Sequence, residues 1–187
     1  MAKLNQALSI AFVSIGMAVP ALAQASGHGG WVLRTDVEFG GDEVAKVYFA
    51  NGETQSVKAG QGISLGVGGH YRPADSKWDF SGTVGLKYTS TRAVNTNINM
   101  NRTVFEFRAD HFLQDGWWIG AGPVWHTGIR FNADGLAPNL AFDSAMGMTA
   151  KVGWKWVALS YTGITYKDEF KNSYAASNLG VSLIGRF

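Results

Sequence analysis

The chain has 187 residues, among them 24 Gly, 7 Trp, 11 Phe, 6 Tyr and no Cys, with a formal net charge of +2. That length suits one domain with its own core; the lack of Cys excludes a disulfide scaffold, a thiolate metal site and a Cys nucleophile, and the charge gives no case for a nucleic-acid binder. Mean hydropathy is −0.02 and no run beyond residue 20 approaches the roughly 18 apolar residues of a membrane helix, which leaves a soluble all-β domain or a transmembrane β-barrel.

Residues 1–23 read as a secretory signal. Lys3 supplies the positive start, Ala7 to Val19 is apolar, and Pro20-Ala21-Leu22-Ala23 gives an A-x-A-like cleavage site. An apolar stretch of 13 residues is too short to span a membrane. Residues 24–30 (QASGHGG) are expected to form a flexible leader, and 31–187 the folded domain.

From Trp31 onward the apolar residues recur with a period of two. In the first strand Trp31, Leu33, Thr35, Val37 and Phe39 share one face, and Arg34, Asp36 and Glu38 the other. A helix would scatter those charges around its circumference; a strand puts them on one side. The second strand sets Ile63, Leu65, Val67 and Tyr71 against Ser64, Gly66, Gly68 and His70. The third sets Trp78, Phe80, Val84, Leu86 and Tyr88 against Asp79, Ser81, Thr83, Gly85 and Lys87. In the fourth, Thr103, Phe105, Phe107, Ala109 and His111 oppose Arg102, Glu106, Arg108 and Asp110. In the fifth, Trp117, Ile119, Ala121, Pro123, Trp125 and Ile129 oppose Gly120, Gly122, His126 and Gly128. The sixth sets Met146, Met148, Ala150, Val152 and Trp154 against Asp143, Gly147, Thr149 and Lys151. The seventh, about Trp156 to Tyr166, turns Val157, Leu159 and Tyr161 to its apolar face. The eighth sets Leu179, Val181, Leu183 and Phe187 against Asn178, Gly180, Ser182, Ile184 and Arg186.

Eight strands of roughly 9 to 13 residues are near the length a tilted strand needs to cross a bilayer. Connections alternate: Arg72–Lys77, Gln114–Gly116 and about Gly153–Lys155 are short, whereas Gly40–Gly60, Thr91–Asn101, Arg130–Ala141 and Lys167–Ser177 are long. Short turns on one side and long loops on the other are the bacterial outer-membrane pattern. Asn51-Gly52 within the first long connection signals a type I′ hairpin, which we expect to extend strands one and two beyond the membrane. The expected fold is therefore an all-β, eight-stranded, antiparallel up-and-down transmembrane barrel.

Polarity separates this from a soluble lipocalin-like barrel, whose interior is apolar. Here the aromatic face suits lipid and the Gly, Ser, Thr and charged face suits a narrow lumen. The expected luminal network is Arg34, Asp36, Glu38, Asp79, Lys87, Arg102, Glu106, Arg108, Asp110, His126, Asp143, Lys151 and Arg186, with its charges nearly cancelling. A selective pore would show one sign in excess. Six of the 7 Trp, namely Trp31, Trp78, Trp117, Trp118, Trp154 and Trp156, fall at the short-turn end, with Tyr71 and Phe187. Such a level matches an interfacial aromatic girdle; Phe39, Tyr88, Phe131, Phe142 and Tyr166 form a looser outer one.

With these features the chain resembles the small outer-membrane barrels of Gram-negative bacteria, of the OmpA/OmpX type. Its last strand, Leu179 to Phe187, alternates and ends in Phe, similar to the signal read by the barrel-assembly machinery, although Gly185 stands where an apolar residue is usual. The resemblance implies outer-membrane insertion through Phe187 and contact with outer-membrane lipid and lipopolysaccharide. It implies no particular activity.

Lipid A deacylase barrels carry a His-x-Ser pair followed by a Glu, and the comparable stretch here has Ser160 and Thr162 in those places and no Glu between Phe170 and Phe187. Without an imidazole beside it, the hydroxyl lacks a general base. His126, Asp143 and Thr162 form the one improvised triad the strands could assemble. His70 and His111 are expected at the short-turn interface and His28 in the leader, so no metal-site spacing arises, and no cofactor fingerprint is present. The expected function is non-enzymatic, structural or at the cell surface, as a monomer with an occluded polar lumen. The alternatives are an outer-leaflet lipid-modifying hydrolase and a narrow pore for small solutes.

Overall fold

The computed structural model describes residues 27–48, 54–93, 96–135 and 139–187; the expected signal peptide lies outside them. Among these residues thirteen strands follow in chain order: β1 Gly27–Phe39, β2 Glu43–Tyr48, β3 Thr54–Lys58, β4 Gly62–Pro73, β5 Trp78–Ala93, β6 Thr96–Phe112, β7 Trp117–Asn132, β8 Leu140–Ala141, β9 Ala145–Trp154, β10 Val157–Gly163, β11 Thr165–Lys167, β12 Ser173–Ala175 and β13 Asn178–Arg186. Eight of them, β1, β4, β5, β6, β7, β9, β10 and β13, pair antiparallel with their neighbours, and β13 returns to β1 to close the ring. Closure removes the unpaired edges that an open sheet exposes.

Alternation decides which side chains face out. Val37, Leu65, Leu86, Phe107, Ile119, Met146, Leu159 and Leu179, one from each barrel strand, are all exposed. The charged residues beside them turn inward, since successive side chains of a strand point to opposite faces.

Several boundaries differ from the sequence reading. β1 begins at Gly27, so Gly27–Gly30 are not leader but strand, opposite His70–Pro73 of β4. The segment Thr91–Asn101, expected as a loop, is mostly a paired extension in which Ala93 faces Thr96. β2 and β3 do not prolong the barrel strands; they form a separate two-stranded sheet, and the Asn51-Gly52 turn lies outside the described residues.

Gly128 reverses the alternation of β7. Its φ of +61° is left-handed backbone, and the register with β6 shifts by one residue between Asn101 and Thr103. An extra residue held by a left-handed Gly is a β-bulge. Beyond it Ile129 and Phe131 point into the barrel, not to lipid.

Candidate functional site

The centre of the lumen is a lattice of buried charges contributed by strands on opposite sides of the ring. Asp36 of β1 accepts from Lys151 Nζ at 3.1 Å, Ser64 Oγ at 2.7 Å and Ser182 Oγ at 2.5 Å, and also pairs with Arg34. Glu106 of β6 takes Arg108 at 2.6 Å, Arg34 at 3.3 Å and Lys151 at 3.4 Å. Arg108 donates a second bond to Asp110 at 2.9 Å, and Arg186 of β13 closes on the same carboxylate. Toward the long-loop end Lys87 bridges Glu38 at 2.8 Å and donates to the Gly60 carbonyl at 2.7 Å. Toward the short-turn end Asp79 accepts from His70 Nδ1 at 3.0 Å and Arg72 at 3.3 Å. Desolvating so many charges is tolerable because Asp36, Asp79, Glu106 and Asp110 each meet two or more donors and Glu38 meets Lys87.

Arg102 is the exception. It is buried, and among the described residues no carboxylate lies within ion-pair distance. One nitrogen donates to the Gln61 carbonyl at 2.8 Å, and the guanidinium carbon sits 5.7 Å from the Tyr166 ring centre.

Asp143 would have supplied the sixth luminal carboxylate, but it stands outside. It lies in the connection before β9, its side chain is 55 % exposed, and it meets Lys171 at 3.0 Å on the surface. β9 begins only at Ala145, so strand alternation does not reach Asp143.

Two apolar clusters bracket the lattice. At the short-turn end Val32, Trp118, Ala158 and Ile184 pack together, with Phe112 against them. Trp118 is 0 % exposed and so belongs to the lumen, not to the girdle. It follows Trp117 directly, and adjacent strand residues cannot share a face. Its indole N–H donates to the Lys155 carbonyl at 3.0 Å, while the Arg186 and Arg108 guanidinium carbons lie 5.0 and 5.4 Å from its ring centre. At the long-loop end Val57, Ala59, Met100, Ile129, Phe131 and Phe142 belong to a larger cluster that also includes Tyr166. Phe131, Phe142 and Tyr166 therefore leave the outer girdle expected for them, whereas Phe39 and Tyr88 are exposed.

The improvised triad does not assemble. His126 is hydrogen-bonded to the Tyr166 hydroxyl, Thr162 Oγ1 donates to Thr149 Oγ1 at 3.3 Å, and Asp143 is held by Lys171. Each hydrogen-bond partner lies elsewhere, so no relay links the imidazole to that hydroxyl. Among the described residues no group of three or more His, Asp or Glu could hold a metal.

Above the cluster, Asp168 organises the turn from β11 to β12. It accepts from the backbone N–H of Phe170 at 2.9 Å and of Asn172 at 2.8 Å, and from Asn172 Nδ2 at 2.9 Å. Desolvation works to raise this carboxyl, but those donors outweigh it and hold it below the usual carboxylate range.

On the exterior, Trp31, Trp78, Trp117, Trp154 and Trp156 are exposed, with Phe187 at 78 %; Tyr71 is half-buried. Trp154 donates to the Asp115 carbonyl at 3.0 Å and lies 4.4 Å from Lys155 Nζ. Such rings, apolar with one polar edge, suit the depth of lipid headgroups.

No family model and no curated protein matches the chain. Among solved structures it is similar in shape to Ail, the attachment invasion locus protein of Yersinia pestis. The complex of Ail with the heparin analogue sucrose octasulfate gives a TM-score of 0.45 at 8% identity, over 86% of this chain and 99% of that one. A second Ail structure gives 0.39 at 9% identity over the same shares. The eight-stranded closure stands on this chain's own strand pairings.

Sequence reasoning missed Tyr166 as a luminal partner of His126, and Arg72 and His70 as partners of Asp79. The His70 pairing was open to inspection, because Gly69 faces Gly82 and His70 faces Ser81 across β4 and β5. That register brings the inward positions 70 and 79 near one another.

Proposed function

We propose that this chain is a bacterial outer-membrane barrel whose lumen is closed and whose role is structural or exerted at the cell surface, without catalysis. The observation that carries this reading is the burial of the charge lattice between two apolar clusters, inside a wall whose outer face is apolar on every barrel strand. Charged residues facing lipid at the midplane would cost roughly 2–4 kcal/mol each, which supports placing this outer face against hydrocarbon. A continuous aqueous path needs polar or open ends, and both ends here are packed with side chains such as Trp118 and Phe131. Insertion through the exposed Phe187 strand by the barrel-assembly machinery, and a monomeric state, belong to the same proposal.

The test is fractionation, followed by gel mobility with and without heating. A heat-shifted band in outer membranes is expected; recovery from the soluble periplasm overturns the reading. Planar-bilayer recordings are expected to show no conductance steps, and regular steps would favour the narrow pore instead. An altered lipid A acyl pattern on overexpression would restore the hydrolase.

A further inference from the structure

The exposed position of Asp143 unbalances the charge inside the barrel. Five carboxylates stand in the lumen, on Asp36, Glu38, Asp79, Glu106 and Asp110, against the cations of Arg34, Lys87, Arg102, Arg108, Lys151 and Arg186. Arg72, half-buried, adds a further cation beside Asp79. Every one of these cations except Arg102 pairs with a carboxylate. The unmatched positive charge therefore has a place, and at 1 % exposure that place is buried.

A guanidinium carries five N–H donors. In Arg102 the Nη2 group donates to the Gln61 carbonyl at 2.8 Å, whereas the buried Nε and Nη1 meet no acceptor among the described residues. Arg34, Arg72 and Arg186 also keep free nitrogens, but each of those groups has its carboxylate. Arg102 alone combines free donors with a missing counter-charge.

Its surroundings offer no internal substitute. On β6 its inward neighbours are Met100 and Val104, both apolar. Across the pairing with β5 stands Lys87, a second cation, whose Nζ already holds Glu38 and the Gly60 carbonyl. The Gln61 carbonyl is shared with Thr89 Oγ1. On the remaining side is the Tyr166 ring, whose hydroxyl is engaged with His126.

An Arg stays charged in a protein interior, and a buried charge without a partner is strongly unfavourable. Water would accept from the free donors but carries no charge; a monovalent anion does both. The apolar neighbours disfavour a strongly hydrated ion such as phosphate and favour a compact, weakly hydrated one. We infer that Arg102 holds one chloride ion inside the barrel on its free N–H groups, as the sixth counter-charge of the lattice. With both ends of the lumen packed, the ion enters while the barrel folds and leaves only when it opens. The site itself rests on Arg102 and the charge imbalance; only the slow exchange rests on the closed lumen.

The experiment refolds the full chain in detergent with radiolabelled chloride. Each sample then passes through a desalting column into unlabelled gluconate of equal ionic strength, with the heat-shifted band as the check on folding. Wild type is expected to retain one chloride per chain and to release it on heating. Lys171→Ala, which alters a surface cation, is expected to retain it equally, and Arg102→Met to retain none. Wild type refolded in gluconate alone is expected to unfold at lower urea than in chloride, whereas Arg102→Met unfolds at the same urea in both. Crystals of wild type grown with bromide in place of chloride are expected to show an anomalous peak beside the Arg102 guanidinium, a readout independent of how the variant folds. No peak there, or equal retention by wild type and Arg102→Met, overturns the site while leaving the barrel reading intact. Equal wild-type midpoints in the two salts mean an adventitious ion only and overturn the counter-charge. A peak at Arg102 with the label lost on the column keeps the site and overturns the closed lumen.

Discussion

Lys151 on β9 reaches across the lumen to Asp36 on β1, 3.1 Å away, although two strands, β10 and β13, separate them around the ring. The bond therefore spans the interior of the barrel. Both side chains are 2 % exposed, so water cannot replace a lost partner. Lys151→Ala is expected to destabilise the barrel by about 3–5 kcal/mol, because it leaves Asp36 and Glu106 short of a cation. The double change Lys151→Met with Asp36→Leu should cost less than the two single changes summed. Urea unfolding from lipid vesicles, run as a double-mutant cycle, measures both; additive losses would mean that the two groups act independently.

Trp117 and Trp118 offer a test of the alternation. Trp118→Ala removes a fully buried indole from the cluster around Val32 and Ile184 and is expected to cost about 3–5 kcal/mol. Trp117 faces outward, and its loss should alter stability far less while changing the depth at which the barrel sits. Unfolding midpoints and fluorescence quenching by brominated lipids separate these effects. Comparable destabilisation by both substitutions would contradict the assigned faces.

The Asp168 turn should respond to acid. Its carboxyl is held low in the folded protein, so its contribution to turn order is fully present above the unfolded value, about 3.9. That contribution is lost as the pH falls through the lower folded value. Amide protection at Phe170 and Asn172, followed by hydrogen exchange from pH 6 downward, should decline in that acidic range. Asp168→Asn should show weaker protection with little dependence on pH; retained dependence would assign it to another group.

Gly122 marks a close approach between strands. A Cβ there would stand 2.0 Å from the Phe107 carbonyl oxygen and 2.9 Å from the Arg108 Cα. Gly122→Val is expected to abolish the heat-shifted folded band. Gly69→Ala, where the nearest atom is the Gly30 oxygen at 3.6 Å, is expected to preserve it. Loss of the band in both would point to a general intolerance of the wall.

The alternation along Trp31–Phe39 made the strand and both its faces legible, because three charges at even positions admit only a period of two. The same rule misplaced residues wherever the period was interrupted or overextended. Gly128 inserts one residue, and Ile129 and Phe131 change faces with it; an isolated Gly in a strand pattern is the available sign of such a bulge. Residue type and position along the barrel place Trp118 in the girdle, but its neighbour Trp117 already occupies the outer face. The bond between His126 and Tyr166 joins residues 40 positions apart. No local pattern encodes it, since it depends on how β11 folds back over the lumen.

The seam between β1 and β13 has a consequence in time. Asp36 and Ser182, which meet there, are 146 positions apart in the chain. While β13 is missing, the other seven barrel strands form at most an open sheet with two bare edges, and Asp36 lacks its Ser182 donor. Closing the ring thus waits on the final strand, and contacts of such high separation form slowly. During that wait the exposed edges are open to pairing with other copies. A truncation that removes β13 is expected to leave a chain whose two open edges, on β1 and β10, invite aggregation.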